Sequence, residues 1–333
     1  MVEPLDTQLP VVARVNQAYS WTFSPTTFNS TDGDLTYTTN NLPTWLSFDS
    51  PSRTFSGTPR PNDEDTPRVV VTAHGSKSNS YTSSGFNLCV VDSPRPTLGI
   101  SIAQQFTGAP SRAMSSVFAL QNRSAITPIT DAGTAIRVPR GWSFSLGFHR
   151  DTVRASDNSD IFYEMRMADG REVPDWMEFD SNAITLDGVA PSGLGHLPPE
   201  IFSVVLVASD QEGYTALSLP FDIVVASHEL SATQAQLPTI NVTAGNAFNI
   251  NLASPADFTG VLVDKKAIQP ANISSLVIDT KAYPWLRYDA TNRTLSGVPT
   301  TDTGSNASAV LPVSLTTTFN QTLHTEVTLR IVP

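Results

Sequence analysis

One pattern of residues occurs three times in this chain and constrains its fold more than any other feature. The shared text is Pro-(x)-Trp-(Leu/Met)-x-(Phe/Tyr)-Asp, followed by polar residues, an apolar residue, a glycine and a proline. The copies span residues 42–59, 173–191 and 283–299. Their tryptophans, Trp45, Trp176 and Trp285, are 131 and 109 positions apart, and each spacing is that of one domain.

Each copy of the pattern predicts a β-hairpin. In the first copy, alternation puts Trp45 and Ser47 on one strand face and Leu46 and Phe48 on the other. The polar residues that follow favour a turn, and 54–56 is the returning strand. The glycine that ends this strand is expected to supply a φ that other residues resist. The glycines are Gly57, Gly188 and Gly297. We interpret the tryptophans as core residues rather than sugar-stacking platforms, because they recur in all three copies.

Short apolar runs before and after each hairpin complete the pattern. One run precedes each hairpin (19–23, 142–148, 247–252), and two follow it (68–73 and 86–91; 202–208 and 217–225; 309–315 and 326–332). About seven short strands per ~100 residues are typical of immunoglobulin-like architecture. The sequence therefore predicts an all-β chain of three tandem immunoglobulin-like (cadherin-like) β-sandwiches.

The domain boundaries are predicted at proline-rich or short polar joints. The first domain spans 1–95 and closes at 92–96, and the second spans 96–227 and closes at 226–229. The third domain spans 228–333. The second has a longer N-terminal segment, in which 111–121 is a candidate for a short helix.

Composition excludes several classes of protein. There are 31 acidic and 20 basic side chains, a net charge of −11 and no dense basic cluster, so nucleic-acid binding is excluded. No apolar run reaches the roughly 18 residues of a membrane-spanning helix, and the first six residues are not a signal peptide. The single cysteine, Cys89, lies in an apolar strand and is interpreted as a buried thiol.

The sequence shows no motif of a known catalytic site. The five histidines are scattered, and no nucleophile elbow, P-loop or dinucleotide-binding fingerprint occurs. We therefore predict that the chain is not an enzyme.

The text from Asp32 to Pro59 resembles the dystroglycan-type cadherin-like domain. The likeness is tight in the first copy, good in the second and loose in the third. It implies calcium-associated β-sandwiches of extracellular adhesion proteins. The tandem as a whole also resembles the extracellular part of a group of fungal single-pass membrane proteins that mark the old division site. That likeness implies a cell-surface location, a role in axial bud-site selection, and an anchoring transmembrane helix that this sequence does not contain.

Calcium is the cofactor that the resemblance implies, and calcium requires six to eight oxygen ligands. The second domain matches best, with Asp157 and Asp160 before one strand and Asp210 and Glu212 in the turn 208–213. We expect Asp157, Asp160 and Asp210 to converge on one ion. The first domain keeps the acidic loop with Asp32 and Asp34. There, however, His74 replaces the second aspartate, and the third domain is expected to be calcium-free. The alternative is that these acidic residues only form turns.

Seven glycosylation sequons point to a secretory route. They begin at Asn29, Asn122, Asn241, Asn272, Asn292, Asn306 and Asn320. The predicted partners are cell-wall or septal components or surface proteins. Two alternatives stay open, which are a carbohydrate-binding module array of a secreted wall-active protein and an acidic structural rod without a ligand.

Overall fold

The computed structural model describes residues 3–29, 34–75, 80–108, 135–155, 159–193, 198–299 and 307–333. About 50% of the residues are in strands and 7% in helices, which confirms the all-β prediction. The one α-helix among them, α1, spans Ile102–Gly108, and the candidate helix at 111–121 lies outside the described residues. No helix in the described ranges is long and apolar enough to cross a membrane.

We call the three predicted domains the first, second and third repeats and assign the strands to them by residue number. The first repeat contains β1 (Ala13–Arg14), β2 (Tyr19–Thr22), β3 (Leu35–Asn40), β4 (Leu46–Asp49), β5 (Thr54–Gly57), β6 (Arg68–Gly75), β7 (Tyr81–Asn87) and β8 (Val90–Val91). The second contains β9 (Thr97–Leu98), β10 (Ala135–Val138), β11 (Ser143–Gly147), β12 (Val153–Arg154), β13 (Phe162–Met167), β14 (Met177–Asp180), β15 (Thr185–Val189), β16 (Glu200–Ser209) and β17 (Leu217–Val225). The third contains β18 (Leu230–Ala232), β19 (Ile240–Thr243), β20 (Phe248–Asn251), β21 (Val261–Val263), β22 (Lys266–Ala267), β23 (Ile273–Ile278), β24 (Leu286–Asp289), β25 (Thr294–Gly297), β26 (Ser308–Thr317) and β27 (Thr322–Val332). Short 3-10 turns lie at Leu5–Thr7, Pro61–Asp63, Arg150–Thr152, Pro255–Phe258 and Pro270–Asn272.

The repeated pattern forms the same hairpin three times, as predicted. The antiparallel pairs are β4–β5, β14–β15 and β24–β25, and each returning strand also pairs with an opening strand, β2, β11 or β20. A second sheet completes the first repeat (β3-β6-β7) and the third repeat (β19-β27-β26-β23). In the second repeat, β13 pairs antiparallel with β16. Apolar side chains from both sheets form one core, with Phe55 and Phe86 in the first repeat and Leu295 and Leu329 in the third.

The glycine recurs in all three hairpins for a steric reason. The expectation that it supplies an unusual φ is wrong. None of the three glycines has a φ in the left-handed region. A side chain at Gly57 would instead collide with the Trp45 carbonyl oxygen. At Gly188 and Gly297, a Cβ atom would lie 2.5 Å from the Trp176 or Trp285 carbonyl oxygen. The glycine therefore lets the hairpin pass close to the tryptophan backbone.

The repeated tryptophans are half-buried at the rim of each core rather than enclosed in it. Each packs edge-on against an aromatic ring of the opening strand. Trp45 packs on Tyr19 with ring centres 5.8 Å apart, and Trp176 packs on Phe144 at 6.1 Å. Within β4, Leu46 and Phe48 pack against the core while Ser47 is exposed, as predicted. Trp45 departs from the prediction, because it lies just before β4 and packs against the same core rather than outward with Ser47.

Two compact units make up the chain. The first comprises Met1–Ser115, Ser143–Val189 and Phe202–Asp222, and the second comprises Ser116–Trp142, Ala190–Ile201 and Ile223–Pro333. The segment 96–227 contributes to both units. The division into three domains therefore stays a prediction.

Candidate functional site

The turn assigned to calcium in the second repeat leads into a segment that pairs with the start of the first repeat. Val12 N–H donates to the Thr215 carbonyl oxygen, and Thr215 N–H donates to the Pro10 carbonyl oxygen, both at 2.9 Å. The Thr215 hydroxyl donates to the Leu9 carbonyl oxygen at 2.9 Å. These bonds dock the segment 209–216 on the first repeat within the first compact unit.

Arg14 of β1 forms a two-pronged ion pair with Asp210 of this turn. Its Nη1 donates to Asp210 Oδ2 at 2.9 Å, and its Nη2 donates to Asp210 Oδ1. Both side chains are only 5% exposed. Arg14 Nη1 also donates to the Ser93 carbonyl oxygen at 2.9 Å. Arg14 therefore joins its own strand, the linker at 92–96 and the turn of the second repeat.

The charge of Arg14 keeps Asp210 ionised despite its burial. Burial raises the pKa of the Asp210 carboxyl, but the hydrogen bonds and positive charge of Arg14 outweigh that effect, and the pKa lies below its usual value. The Ser93 hydroxyl donates a further bond to Oδ2 at 3.2 Å. Paired, ionised groups of this kind make the stronger class of hydrogen bond.

A second buried arginine holds the linker that follows the second repeat. Arg137 of β10 is 5% exposed, and its Nε donates to the Ala226 carbonyl oxygen at 3.0 Å. Its Nη2 donates to the Ser227 carbonyl oxygen at 2.6 Å and lies 3.6 Å from Asp264 Oδ1 of the third repeat. We call the two groupings the arginine clamps, Arg14 with Ser93 and Asp210, and Arg137 with Ala226, Ser227 and Asp264.

The predicted calcium ligands do not share one location among the described residues. Asp32 and Asp157 lie outside the described residues, and Asp34 is exposed just before β3. Asp160 and Glu212 are exposed and line one cleft. Asp210 belongs to the first arginine clamp.

Asp210, one of the expected calcium ligands, already has a cationic partner within the protein. Both Asp210 oxygens already accept hydrogen bonds from a cation that belongs to the protein. Across the described ranges, no group of three or more His, Cys, Asp or Glu side chains is arranged to hold a metal ion. The convergence of Asp157, Asp160 and Asp210 on one ion is thus not seen for the two described members. Calcium binding itself stays a prediction.

The cleft that Asp160 and Glu212 line has a volume of about 870 Å³ and lies along β13 and β14. Its acidic side chains are Asp160, Glu164, Glu172, Asp175, Glu178 and Glu212, and its basic ones are Arg150 and Arg166. Arg166 pairs with Glu164 and lies 3.9 Å from Glu172. The cleft therefore offers an open, mainly acidic surface for contact.

Cys89 is 4% exposed, and burial raises the pKa of its thiol. A thiol that is protonated and shielded in this way is a poor nucleophile. This agrees with the sequence-based interpretation of Cys89 as a packing residue.

Two kinds of residue in the described ranges cannot be predicted from the local sequence. For Arg14 and Arg137, the only local signal is an arginine within a short apolar strand. Three aromatic side chains are unusually exposed, namely Tyr81 (72%), Trp142 (55%) and Phe162 (42%). Nothing in the local sequence marks these three as exposed.

The sequons differ in their surroundings. Of the sequon asparagines in the described ranges, four are exposed, namely Asn29, Asn241, Asn292 and Asn320. Asn272 Oδ1 accepts a hydrogen bond from Gln269 N–H at 3.0 Å. Asn292 is exposed, but its Nδ2 donates to Asp289 Oδ2 at 2.7 Å. Asn122 and Asn306 lie outside the described residues.

The fold defines the class of protein, an all-β protein of immunoglobulin-like type. Residues 4–91 match the family model described as "Putative Ig domain". Over 331 residues, the chain is 29% identical to axial budding pattern protein 2 of Saccharomyces cerevisiae. That alignment covers 96% of this chain and 38% of the length of the relative. The finer resemblance to dystroglycan-type cadherin-like domains stays a prediction.

Solved structures that match this chain include Drosophila N-cadherin EC1-4, with 10% identity and a TM-score of 0.25. The comparison covers 99% of this chain and 74% of that one. Sidekick-1 immunoglobulin domains 1-4 match at 11% identity and a TM-score of 0.24, over 99% of this chain and 76% of that one. An endo-fucoidan hydrolase from glycoside hydrolase family 107 matches at 16% identity and a TM-score of 0.22. That comparison covers 97% of this chain and 43% of the hydrolase. At TM-scores this low, we draw no argument from these likenesses.

Proposed function

We propose that the chain is the extracellular part of a fungal surface protein that acts in axial bud-site selection. The observation that carries this proposal is the similarity to axial budding pattern protein 2 over 96% of the chain. Immunoglobulin-like modules with exposed loops and edges suit a spacer and contact surface at the cell wall. Membrane anchoring by a helix outside this sequence, and contact with wall or septal components, belong to the same proposal.

An exchange experiment in S. cerevisiae tests the proposal. The region of the yeast relative that aligns with this chain is replaced by this chain, and bud-scar positions are scored in cells that carry no other copy. The matched control is an unrelated immunoglobulin-like tandem of the same length. We expect the axial pattern with this chain and its loss with the control. Loss of the axial pattern with both this chain and the control tandem, at equal surface levels, would overturn the proposal. Restoration of the axial pattern by both would show that the region acts only as a spacer.

The exposed sequons support passage through the secretory route, and we propose glycans at Asn29, Asn241 and Asn320. Asn320 lies in the tight turn between β26 and β27 with a φ of 62°, where its side chain is exposed. Asn272 is half-buried, and its amide oxygen caps the Pro270–Asn272 turn. In the chain secreted from a fungal host, glycopeptide mapping should show higher occupancy at Asn320 than at Asn272. Equal occupancy would contradict this ranking.

A second candidate function is binding of wall polysaccharide, and the exposed Trp142 favours it. More than half of this large side chain is accessible, and aromatic rings at a surface provide a flat apolar face with a polar edge. Co-sedimentation with chitin and β-glucan tests this function, with Trp142→Ala as the variant and Tyr81→Ala as the matched control. Binding that Trp142→Ala leaves unchanged would reject this site.

A further inference from the structure

The third repeat contains an apolar pocket of about 150 Å³. Its floor is formed by buried side chains of β23, β27 and the segment that follows β20, namely Leu252, Phe258, Leu276, Ile278 and Val327. Its mouth lies between the segment 237–240 and the Pro255–Phe258 turn, where Thr239 and Ala256 are exposed. The pocket is thus an opening from the surface into the core of the repeat.

In the first repeat, the position equivalent to this pocket is filled by a side chain of the protein itself. Gln-Leu-Pro precedes β1 at 8–10 and β19 at 236–238, and Ser-Pro-x-x-Phe follows β2 at 24–28 and β20 at 254–258. In the first repeat, Leu5 is fully buried in the core cluster that contains Phe23 and Phe28. The chain therefore fills this end of the first repeat with its own leucine.

Hydrogen bonds hold that closing segment in place. Gln8 Nε2 donates to Thr27 Oγ1 at 2.7 Å, and Ser24 N–H donates to Gln8 Oε1 at 2.8 Å. The side chain of Gln8 thus fastens the segment from Leu5 onward across the Ser24–Phe28 turn. Leu5 N–H also donates to the Ser84 hydroxyl at 3.0 Å.

The third repeat has the same two sequence segments, but they do not make the hydrogen bonds that close the first repeat. Gln236 turns away, and its Nε2 donates to Glu326 Oε2 at 3.1 Å. Ser254 N–H donates instead to Asp257 Oδ2 at 2.8 Å. Residues 233–236, which precede Leu237, are all exposed. Leu252 also stands where the first repeat has the larger Phe23, as the matching registers Tyr19↔Gly57 and Phe248↔Gly297 show.

We propose that this pocket of the third repeat binds one apolar group of leucine or benzene size. A cavity of about 150 Å³ has room for a six-membered carbon ring. Its lining is mainly apolar, with Thr239 and Asp257 as the polar side chains. The group enters between Thr239 and Ala256 and replaces the contacts that Leu5 makes in the first repeat. The proposal is independent of the proposed role in bud-site selection.

Methyl NMR of the full chain with labelled Leu, Val and Ile tests the proposal with two probes. One probe is benzene, and the other is the peptide Glu-Pro-Leu-Asp-Thr-Gln, which copies residues 3–8. We expect saturable shifts at the methyl groups of Leu252, Ile278 and Val327. Shifts with benzene alone would indicate a free small ligand, and shifts with the peptide would indicate a side chain presented by a protein segment. No shift at these methyl groups with either probe would overturn the proposal.

Two variants locate the binding. Leu252→Phe copies Phe23 and fills the pocket from within, and Ala256→Trp covers the mouth from an exposed position without altering the core. Both should abolish the shifts. Val310→Phe, in β26 and outside the pocket lining, is the matched control and should leave them unchanged. Shifts that persist in folded Leu252→Phe and Ala256→Trp proteins would place binding elsewhere and overturn the proposal.

Discussion

Arg14 and Asp210 illustrate what burial does to a charged pair. Each side chain is 5% exposed, so each depends on the other for the solvation that water supplies at the surface. Such a pair adds little stability compared with well-packed apolar residues, but removal of one partner leaves a buried charge without compensation. We infer that the pair contributes more to the choice of the turn that docks on the first repeat than to net stability.

The first prediction concerns the loss of one partner. Arg14→Met should lower the free energy of unfolding by about 3–5 kcal/mol, because Asp210 is then buried without its cation. The double variant Arg14→Met/Asp210→Leu should recover much of that loss. Arg171→Met is the control, since its partner Asp169 forms an exposed pair that should matter little. Urea unfolding measures all three, and an equal loss in the single and double variants would reject the explanation.

The second prediction follows from the lowered pKa of Asp210. Since the folded-state pKa lies below the unfolded value of about 3.9, the ionised carboxylate stabilises the fold fully above about pH 4. This stabilisation is lost as the pH falls through the folded-state pKa. The melting-temperature difference between wild type and Asp210→Asn should thus be constant from about pH 7 to 5 and shrink below about pH 4. A difference that grows on acidification would contradict this sign.

At the scale of the element, the hairpin depends on the contact between its glycine and the tryptophan carbonyl oxygen. Gly57→Ala should destabilise the chain by about 1–3 kcal/mol or more, because the added methyl group forces the strands apart. Gly147→Ala is the matched control, since a Cβ atom there meets no heavy atom within 4 Å. Thermal unfolding compares the two variants, and similar effects would show that the close approach is not limiting.

The hairpins could be predicted because their information is local. Alternating polarity and the polar turn specify them within about fifteen residues. The reason for the glycine could not be predicted, since a need for space and a need for a positive φ look the same in a sequence. The sequence predicts the turn that contains Asp210, but it does not predict the partner of the Asp210 carboxylate. Arg14 lies 196 positions away, and one arginine in a short apolar strand carries no signal about what it will meet.

At the scale of the whole molecule, each compact unit contains one arginine clamp, Arg14 with Asp210 in the first and Arg137 with Asp264 in the second. In both, a guanidinium group binds carbonyl oxygens of a predicted linker and a carboxylate of the following repeat. We infer that the protein's own cations hold these junctions, and we expect the junctions to persist whether or not calcium is present.

Thermal melting of wild type and Asp210→Asn, each in EDTA and in about 2 mM calcium, tests this claim most directly. We expect Asp210→Asn to lower the melting temperature by the same amount in both solutions, because Arg14 is the partner of the carboxylate. A loss that appears only in calcium, with wild type stabilised by calcium and the variant not, would show that Asp210 binds the ion and would contradict the claim.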